Sequence, residues 1–400
     1  MVMRITENMK FNTSVMSMAN VQSQYNSVME QMASQKRINR ISDDPLGMTQ
    51  LLDYRQGQAS IEQYQKNIDN SSAWLSMTEA KLNGAGDLLS QARELAVGQG
   101  TATATAETRR IAADNVEQLK NEMLSLANST YNNKYLFSGS RMATAPFTAT
   151  TQPARIDTPV AGASNSYDGA VTASGPYTAA VNKTYVVKIA AGGPLATATY
   201  QISADGGKTW GSASNAGDLA AGTIALGDGI SLTFAGGSSN LAAGDLFKVD
   251  AHAPGYYQGN SADLTTDIGQ GVVISYNTHG TAAFGGGSGG TDVLKTLDDL
   301  KTALTNNDQA GILAQLDNLK MASDQVSATT AKVGNTMNRL DLAKGNLQAL
   351  SQQLTDLSSK TADVDIAALS TKLAMQQLAL QASYTVAAKM GDNTILNFIK

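Results

Sequence analysis

The stretch Ile312–Leu354, ILAQLDNLKMASDQVSATTAKVGNTMNRLDLAKGNLQALSQQL, decides the fold. Ile312, Leu319, Val326, Val333, Leu340, Leu347 and Leu354 fall seven residues apart without a break. A second, weaker column runs beside them: Ala322, Thr329, Thr336, Ala343, Leu350 and Leu357. This is the a/d seam of a coiled coil, on a helix about 65 Å long at ~1.5 Å rise per residue. A helix with one long apolar stripe needs a second long helix against it.

The partner stripe lies earlier in the chain, at Ile61, Ile68, Leu75, Leu82, Leu89 and Ala96, again seven apart, with Tyr64, Ala85 and Ala92 beside it. The spacing predicts a helix from about Pro45 to Val97, ended by Gly98 and Gly100. Gly47, Gly57, Gly84 and Gly86 lie inside it. Each costs ~1 kcal/mol relative to alanine, and they allow close helix approach or a local bend. Ahead of it, Ser42-Asp43-Asp44-Pro45 reads as helix cap and turn. Asp44 is the N-cap, Pro45 fits the first helical position, and both aspartates meet the positive end of the helix dipole. With no third ligand or histidine in range, the adjacent carboxylates do not read as a metal or acid/base pair.

Outward again, each end carries one further helix. Phe11 to Met32 recurs at helical spacing through Val15, Met18, Tyr25 and Met29. At the other end, Thr361-Ala362-Asp363 interrupts the seam helix, and a last helix follows with Ile366, Leu369, Leu373, Leu380 and Ala387 on its stripe. Met375, Leu378 and Val386 widen that stripe, and Gly391 is expected to end it before the apolar tail Ile395–Ile399. These terminal helices carry more apolar surface than a two-helix unit covers, which marks an assembly contact. The expected contact residues are Val15, Met18, Tyr25, Met29, Met32, Ile366, Leu373, Leu380, Val386 and Phe398. A third helix, about Glu107–Leu126, should fold back on the Pro45–Val97 helix as an antiparallel hairpin. Asn128–Ser140 then reads as turn, short strand, turn.

Composition shifts near residue 140: 25 of the 36 glycines and six of the seven prolines lie between Ser140 and Gly290. Tyr185–Ile189, Thr199–Ile202 and Leu246–Val249 read as strands, separated by the turns Asp205-Gly206-Gly207 and Gly227-Asp228-Gly229. Their modest hydrophobicity predicts a modest core. Gly285–Gly290 reads as a return linker, since no Lys-Ser or Lys-Thr closes it as a phosphate loop. The predicted class is α+β: an elongated antiparallel helical coiled-coil bundle formed by both chain ends, with an inserted β-rich domain. The predicted division is 1–40, 41–140, 141–290, 291–361 and 362–400.

The formal charge is −5 with 16% charged residues and no basic face, which argues against a nucleic-acid partner. There is no cysteine, so disulfides, thiolate metal sites and cysteine nucleophiles are excluded together. Neither His252 nor His279 has a Cys, His or acidic partner at ligand spacing, so no catalytic residue, metal or cofactor is expected. No apolar run approaches a membrane span, and MVMRITENMKFNTSVM lacks the apolar segment of a cleaved signal peptide.

Arg37-Ile38-Asn39-Arg40-Ile41-Ser42-Asp43-Asp44-Pro45 resembles the signature of the bacterial flagellin and hook-associated protein superfamily. Ile366–Lys400 is similar to the terminal helix of the same superfamily. Within it, MRITENMKFN, Tyr135-Leu136-Phe137-Ser138-Gly139 and the ending ASYTVAAKMGDNTILNFIK look most like the hook–filament junction subunits. Flagellin, the main filament subunit, is the nearest alternative, ahead of the hook-side junction protein and an unrelated secreted coiled-coil protein. The resemblance implies a non-enzymatic subunit of a homo-oligomer in a helical or ring-like layer, secreted through the flagellar type III export route. Its implied neighbours are another junction protein on the hook side, flagellin on the filament side and an export chaperone, with no nucleic acid and no membrane.

Overall fold

The computed structural model describes residues 7–214, 222–286 and 290–396. Seven helices are described: α1 Glu7–Ser34, α2 Pro45–Gln99, α3 Ala106–Ala127, α4 Gly280–Phe284, α5 Val293–Thr305, α6 Gln309–Ala362 and α7 Ile366–Leu396. Fourteen strands, β1–β14, lie between Thr130 and Ser275. The fold is α+β, with helical regions at both ends and β sheets between them. Two compact units divide it, one from residues 1–65 and 344–400, the other from 66–343, so α2 and α6 contribute residues to both.

In the second unit, the α2 stripe residues Ile68, Leu75, Leu82 and Leu89 are buried, as are Ile312, Leu319, Val326, Val333 and Leu340 of α6. Leu313 packs on Gly100, and the Gln309 amide donates to the Gly100 carbonyl at 2.8 Å. α3 returns along α2, with Leu126 against Gly84 and Arg109 on the Gln99 carbonyl. Thr105 caps α3 in a reciprocal pair with Thr108. α5 runs antiparallel to α3 and is tied to it by Lys120–Asp298 (2.7 Å) and Lys301–Glu117 (2.8 Å).

The β region of this unit is better packed than its composition suggests. A sheet in the order β6 (Val171–Ser174), β10 (Ile230–Phe234), β9 (Thr223–Gly227) shares a core with a five-stranded sheet. The latter runs β4 (Arg155–Ile156), β11 (Leu246–His252), β7 (Lys183–Ala191), β8 (Thr199–Ser203), with β5 (Val160–Ala161) also on β11. Tyr167, Phe234 and Phe247 meet edge to face between the sheets at 5.1–6.2 Å. Tyr177, Tyr185 and Tyr200 are buried in the same core, each with a polar tip to place. The Tyr185 hydroxyl donates to Asp228, which also takes Lys183 Nζ at 2.6 Å. The modest core expected from the sequence is therefore a full aromatic one, because a few large rings replace many aliphatic residues. Asp228, at φ +51° between Gly227 and Gly229, makes the tight β9–β10 turn.

In the first unit, α1 and α7 pack on each other. Gln376 donates to Gln24 Oε1 at 3.1 Å, and the Tyr384 hydroxyl to Gln22 Oε1 at 3.2 Å. Ile61 is buried while Leu347 and Leu354 are half-buried, and Leu354 Cδ1 would lie 3.0 Å from a Cβ at Gly57. α7 continues through Gly391 to Leu396. Gly391 does not end it, because one glycine costs only ~1 kcal/mol and no proline follows to break the helix. Of the Gly285–Gly290 linker, residues 287–289 lie outside the described residues, as do Asn397–Ile399 of the apolar tail.

Candidate assembly site

The terminal helices are interrupted at two places, and the structure closes one break on the other. Between α1 and α2 the chain leaves the helix at Gln35, whose φ of +54° turns it back. Arg37 N donates to the Ala362 carbonyl at 2.6 Å and Val364 N to the Gln35 carbonyl at 3.3 Å, so the breaks pair as a short antiparallel bridge. Lys36 pairs with Asp363, whose other oxygen accepts from Ser359 Oγ at 2.6 Å. Arg37 Nη2 donates to the Thr361 carbonyl at 2.8 Å, and its Nη1 lies 3.3 Å from Asp44 Oδ2.

Each outgoing helix then starts on an aspartate. Asp44 Oδ1 accepts from Gly47 N at 2.9 Å, two residues beyond the Pro45 at the start of α2. That backbone hydrogen bond, helped by Arg37, holds the Asp44 carboxyl below its usual range. Asp365 Oδ1 accepts from Ala367 N at 2.9 Å and Ala368 N at 3.2 Å at the start of α7. Asp43 serves the turn rather than the helix end: its Oδ2 accepts from Asn39 N at 3.0 Å and Arg40 N at 2.9 Å. Ser42 is exposed. The sequence marked Asp363 only as part of the break after the seam helix, and Lys36 and Asp365 were not singled out. The only local signal was Asp365 directly before an apolar helix, while the Lys36–Asp363 pair spans most of the chain.

Around this clasp, α1 and α7 bury very little. Val28 and Leu369 are buried, while Met18, Tyr25, Met32, Leu373 and Leu380 are half-buried. Val15, Met29, Ile366 and Val386 are exposed, together with Met16, Met375 and Leu378, which are 62–67% exposed. Phe398 lies outside the described residues. A free protein seldom presents so many large apolar side chains along one helical pair.

Two polar groupings that the sequence did not reveal lie in the second unit. His252, 1% exposed, has Nε2 3.0 Å from Asp157 Oδ2 and 2.9 Å from Arg141, with Asn182 on its other ring nitrogen at 3.4 Å. Burial pushes the ring's pKa below its usual value, only partly opposed by Asp157. Burial would raise Asp157, but the hydrogen bonds and charges of His252 and Arg141 outweigh it and lower that carboxyl. His279 Nε2 lies 3.0 Å from Asp263 Oδ1, off hydrogen-bond alignment, and burial lowers it too. Both aspartates are far from their histidines in sequence, which is why local spacing missed them. His252 and Asn182 are buried and Arg141 and Asp157 half-buried, and their hydrogen bonds tie the segment after Gly139 onto β11. That is a structural fastening.

Comparison with known proteins agrees with the placement of the helices at the ends. The bacterial flagellin N-terminal helical region matches residues 5–142 and the bacterial flagellin C-terminal helical region residues 316–399. Flagellar hook-associated protein 3 of Salmonella typhimurium is 29% identical over 150 residues, 37% of this chain and 47% of that protein. The same-named protein of Escherichia coli is 30% identical over 146 residues, so this chain spans about half the length of the hook-associated relatives it matches. A Clostridium tyrobutyricum flagellin is 25% identical over 400 residues, covering 98% of this chain and all of that one. The solved structure of a flagellar hook-associated protein from Vibrio parahaemolyticus shares the fold, with a TM-score of 0.50 at 16% identity, over 80% of this chain and 100% of that one. With both helical regions of the family at its two ends, the chain belongs to the bacterial flagellin and hook-associated protein superfamily.

Proposed function

We propose that this chain is a structural, non-enzymatic subunit of the bacterial flagellum that forms the junction between hook and filament and adapts filament assembly. The observation that carries the reading is the terminal helix pair. Two helices of 28 and 31 residues bury one side chain each among those described, Val28 and Leu369. Isolated helix formation gains little in water, so such a pair needs further copies to cover Met16, Met375 and Leu378. Covering them by a head-to-tail contact builds a ring where the rotation closes and a helical layer where it does not. The match to hook-associated protein 3 favours the junction over the filament.

On this reading, residues 1–40 and 362–400 form the inner assembly domain. Residues 41–140 and 291–361 form a helical bundle whose α2 and α6 seams pair as an antiparallel coiled coil, and 141–290 form the outer β-rich domain. Contacts at Gly57–Leu354 and Gly100–Leu313 support that pairing. The partners would be a junction protein on the hook side, flagellin on the filament side and an export chaperone that covers the apolar terminal helices, with the assembled subunit extracellular. Flagellin itself is the second reading, favoured by the end-to-end match to the clostridial flagellin. Electron microscopy and sedimentation of the purified full chain separate the two. The junction reading expects short or no polymers from this chain alone, and long regular filaments would overturn it. In a motile host, a Met375→Ser/Leu378→Ser variant should be exported but leave filament assembly impaired.

A further inference from the structure

Beside the helical hairpin of the second unit lies a cavity of about 380 Å³, within the ~300–1,000 Å³ range of small-molecule sites. One turn after another of α2 supplies Asn67, Asn70, Ser71 and Trp74 to one wall. The β1–β2 hairpin (Thr130–Tyr131 and Lys134–Tyr135) supplies Tyr131 and Lys134, and the β13–β14 pair (Thr265–Gly269 and Val272–Ser275) closes the far side with Tyr276 beyond it. Tyr131 and Tyr276 each meet Trp74 edge to face at 6.1 Å, which fixes all three rings as rigid walls.

Three polar groups around this cavity lack a partner among the described residues. Trp74 is 6% exposed, yet its indole Nε1–H has no acceptor among the described residues. Buried indole donors are ordinarily paired. Lys134 makes no ion pair and Asn70 no hydrogen bond among the described residues. Both are exposed, and no carboxylate lines the cavity. Apart from Met142 and the rings, the lining consists of amides, hydroxyls and one cation. A proline-rich or aliphatic segment would leave these groups unpaired, and a cationic ligand would meet only Lys134.

We propose that this cavity is a binding site for an acidic saccharide: a pyranose ring lying among the three aromatic walls, its hydroxyls on the amide and hydroxyl groups, and its carboxylate on Lys134. Aromatic walls suit the C–H face of a sugar ring, and a single lysine among neutral donors selects a single negative charge. The site is independent of the assembly surface.

The chain has two tryptophans, so the Trp210→Phe variant leaves Trp74 as the sole indole reporter. The full chain carrying that change is titrated with glucuronate, glucose and acetate while emission is followed. Glucuronate should give a saturable change, glucose one about tenfold weaker, and acetate none. Adding Lys134→Gln should bring glucuronate down to the glucose response, and Asn70→Ala should weaken both sugars. Asn70 is exposed on α2, where alanine is the better helix former, so that variant folds. No saturable response to glucuronate, a response equal to that of acetate, or indifference to both substitutions would each overturn the proposal.

Discussion

Replacing Arg109 tests how the second unit holds its helix ends together. The guanidinium is 5% exposed and has no carboxylate partner among the described residues. Its Nε donates to the Gln99 carbonyl at 3.1 Å, Nη2 to the Thr101 carbonyl at 3.0 Å, and Nη1 to Asn307 Oδ1 at 2.6 Å. These acceptors are the C-terminal end of α2, the turn after it, and the α5–α6 turn, where Asn307 holds a left-handed φ of +54°. A cation in the first turn of α3 opposes that helix's own dipole, yet the same charge sits on the negative end of α2. The buried charge is therefore held by directed hydrogen bonds to neutral oxygens.

Hydrogen bonds to a charged group contribute ~1.5–3 kcal/mol each, and the three share one donor group, so their sum is discounted. Water can reach some of the vacated carbonyls, and Arg109→Ala should then cost about 3 kcal/mol. An ammonium cannot span three acceptors arranged for a planar fork, so Arg109→Lys should recover only about a third of the loss. At ~2–4 °C per kcal/mol for a unit of this size, calorimetry of the full chain should show the second unit melting about 6–12 °C lower for Arg109→Ala. Lysine should fall between alanine and wild type. An alanine variant within ~2 °C of wild type, or a lysine variant equal to wild type, would refute the reasoning.

The remaining predictions concern pH and glycine. Because burial lowers the His252 pKa from its usual 6.5, the unfolded chain takes the proton more readily. The stability of the second unit should be fully present above pH 6.5 and fall as pH drops below it. The urea midpoint should decline from pH 7.5 to 5.5 and do so less steeply in His252→Gln; His279, lowered in the same direction, calls for a parallel His279→Gln control. A Cβ at Gly47 would lie 2.6 Å from both Ile38 Cδ1 and Asp44 Oδ2, so Gly47→Ala should destabilise the first unit by ~1–3 kcal/mol. Nothing lies within 4 Å of a Cβ at Gly86, so Gly86→Ala should stabilise α2 by ~0.5–1 kcal/mol, read as a shift in the urea midpoint of the helical signal.

What the sequence showed depended on the separation over which each interaction acts. The long helices were legible because a seven-residue period is a local statement repeated along α2 and α6, and the Asp44-Pro45 start needs only adjacent residues. The aromatic core was not legible, since Tyr167, Phe234 and Phe247 meet only when two sheets face each other. The partners of Lys36 and His252, and Asn307 at Arg109, were hidden likewise, each supplied by a distant turn or strand. Gly391 misled in the opposite direction: a local breaker signal was overridden by a helix that had already paid its nucleation cost.

The contrast between the two units bears on how assembly works. In the second, the α2 and α6 stripes are covered at Ile68, Leu75, Leu82 and Leu89 and at Ile312 to Leu340, so its helices are held by packing within one chain. In the first, the seam residues Leu347 and Leu354 are only half-buried and the terminal helices bury one side chain each among those described. Hydrogen bonds at the clasp fix the register of α1 and α7 without supplying that missing apolar contact, since exposed ion pairs such as Lys36–Asp363 contribute little. Direction and energy thus come from different places. The clasp presets which faces of the helices point outward, and on the proposed assembly the free energy of covering them would arise on contact with other subunits. On the proposed assembly, a subunit arranged this way would gain most of its terminal-helix stability on joining the layer, which would make incorporation and ordering a single step.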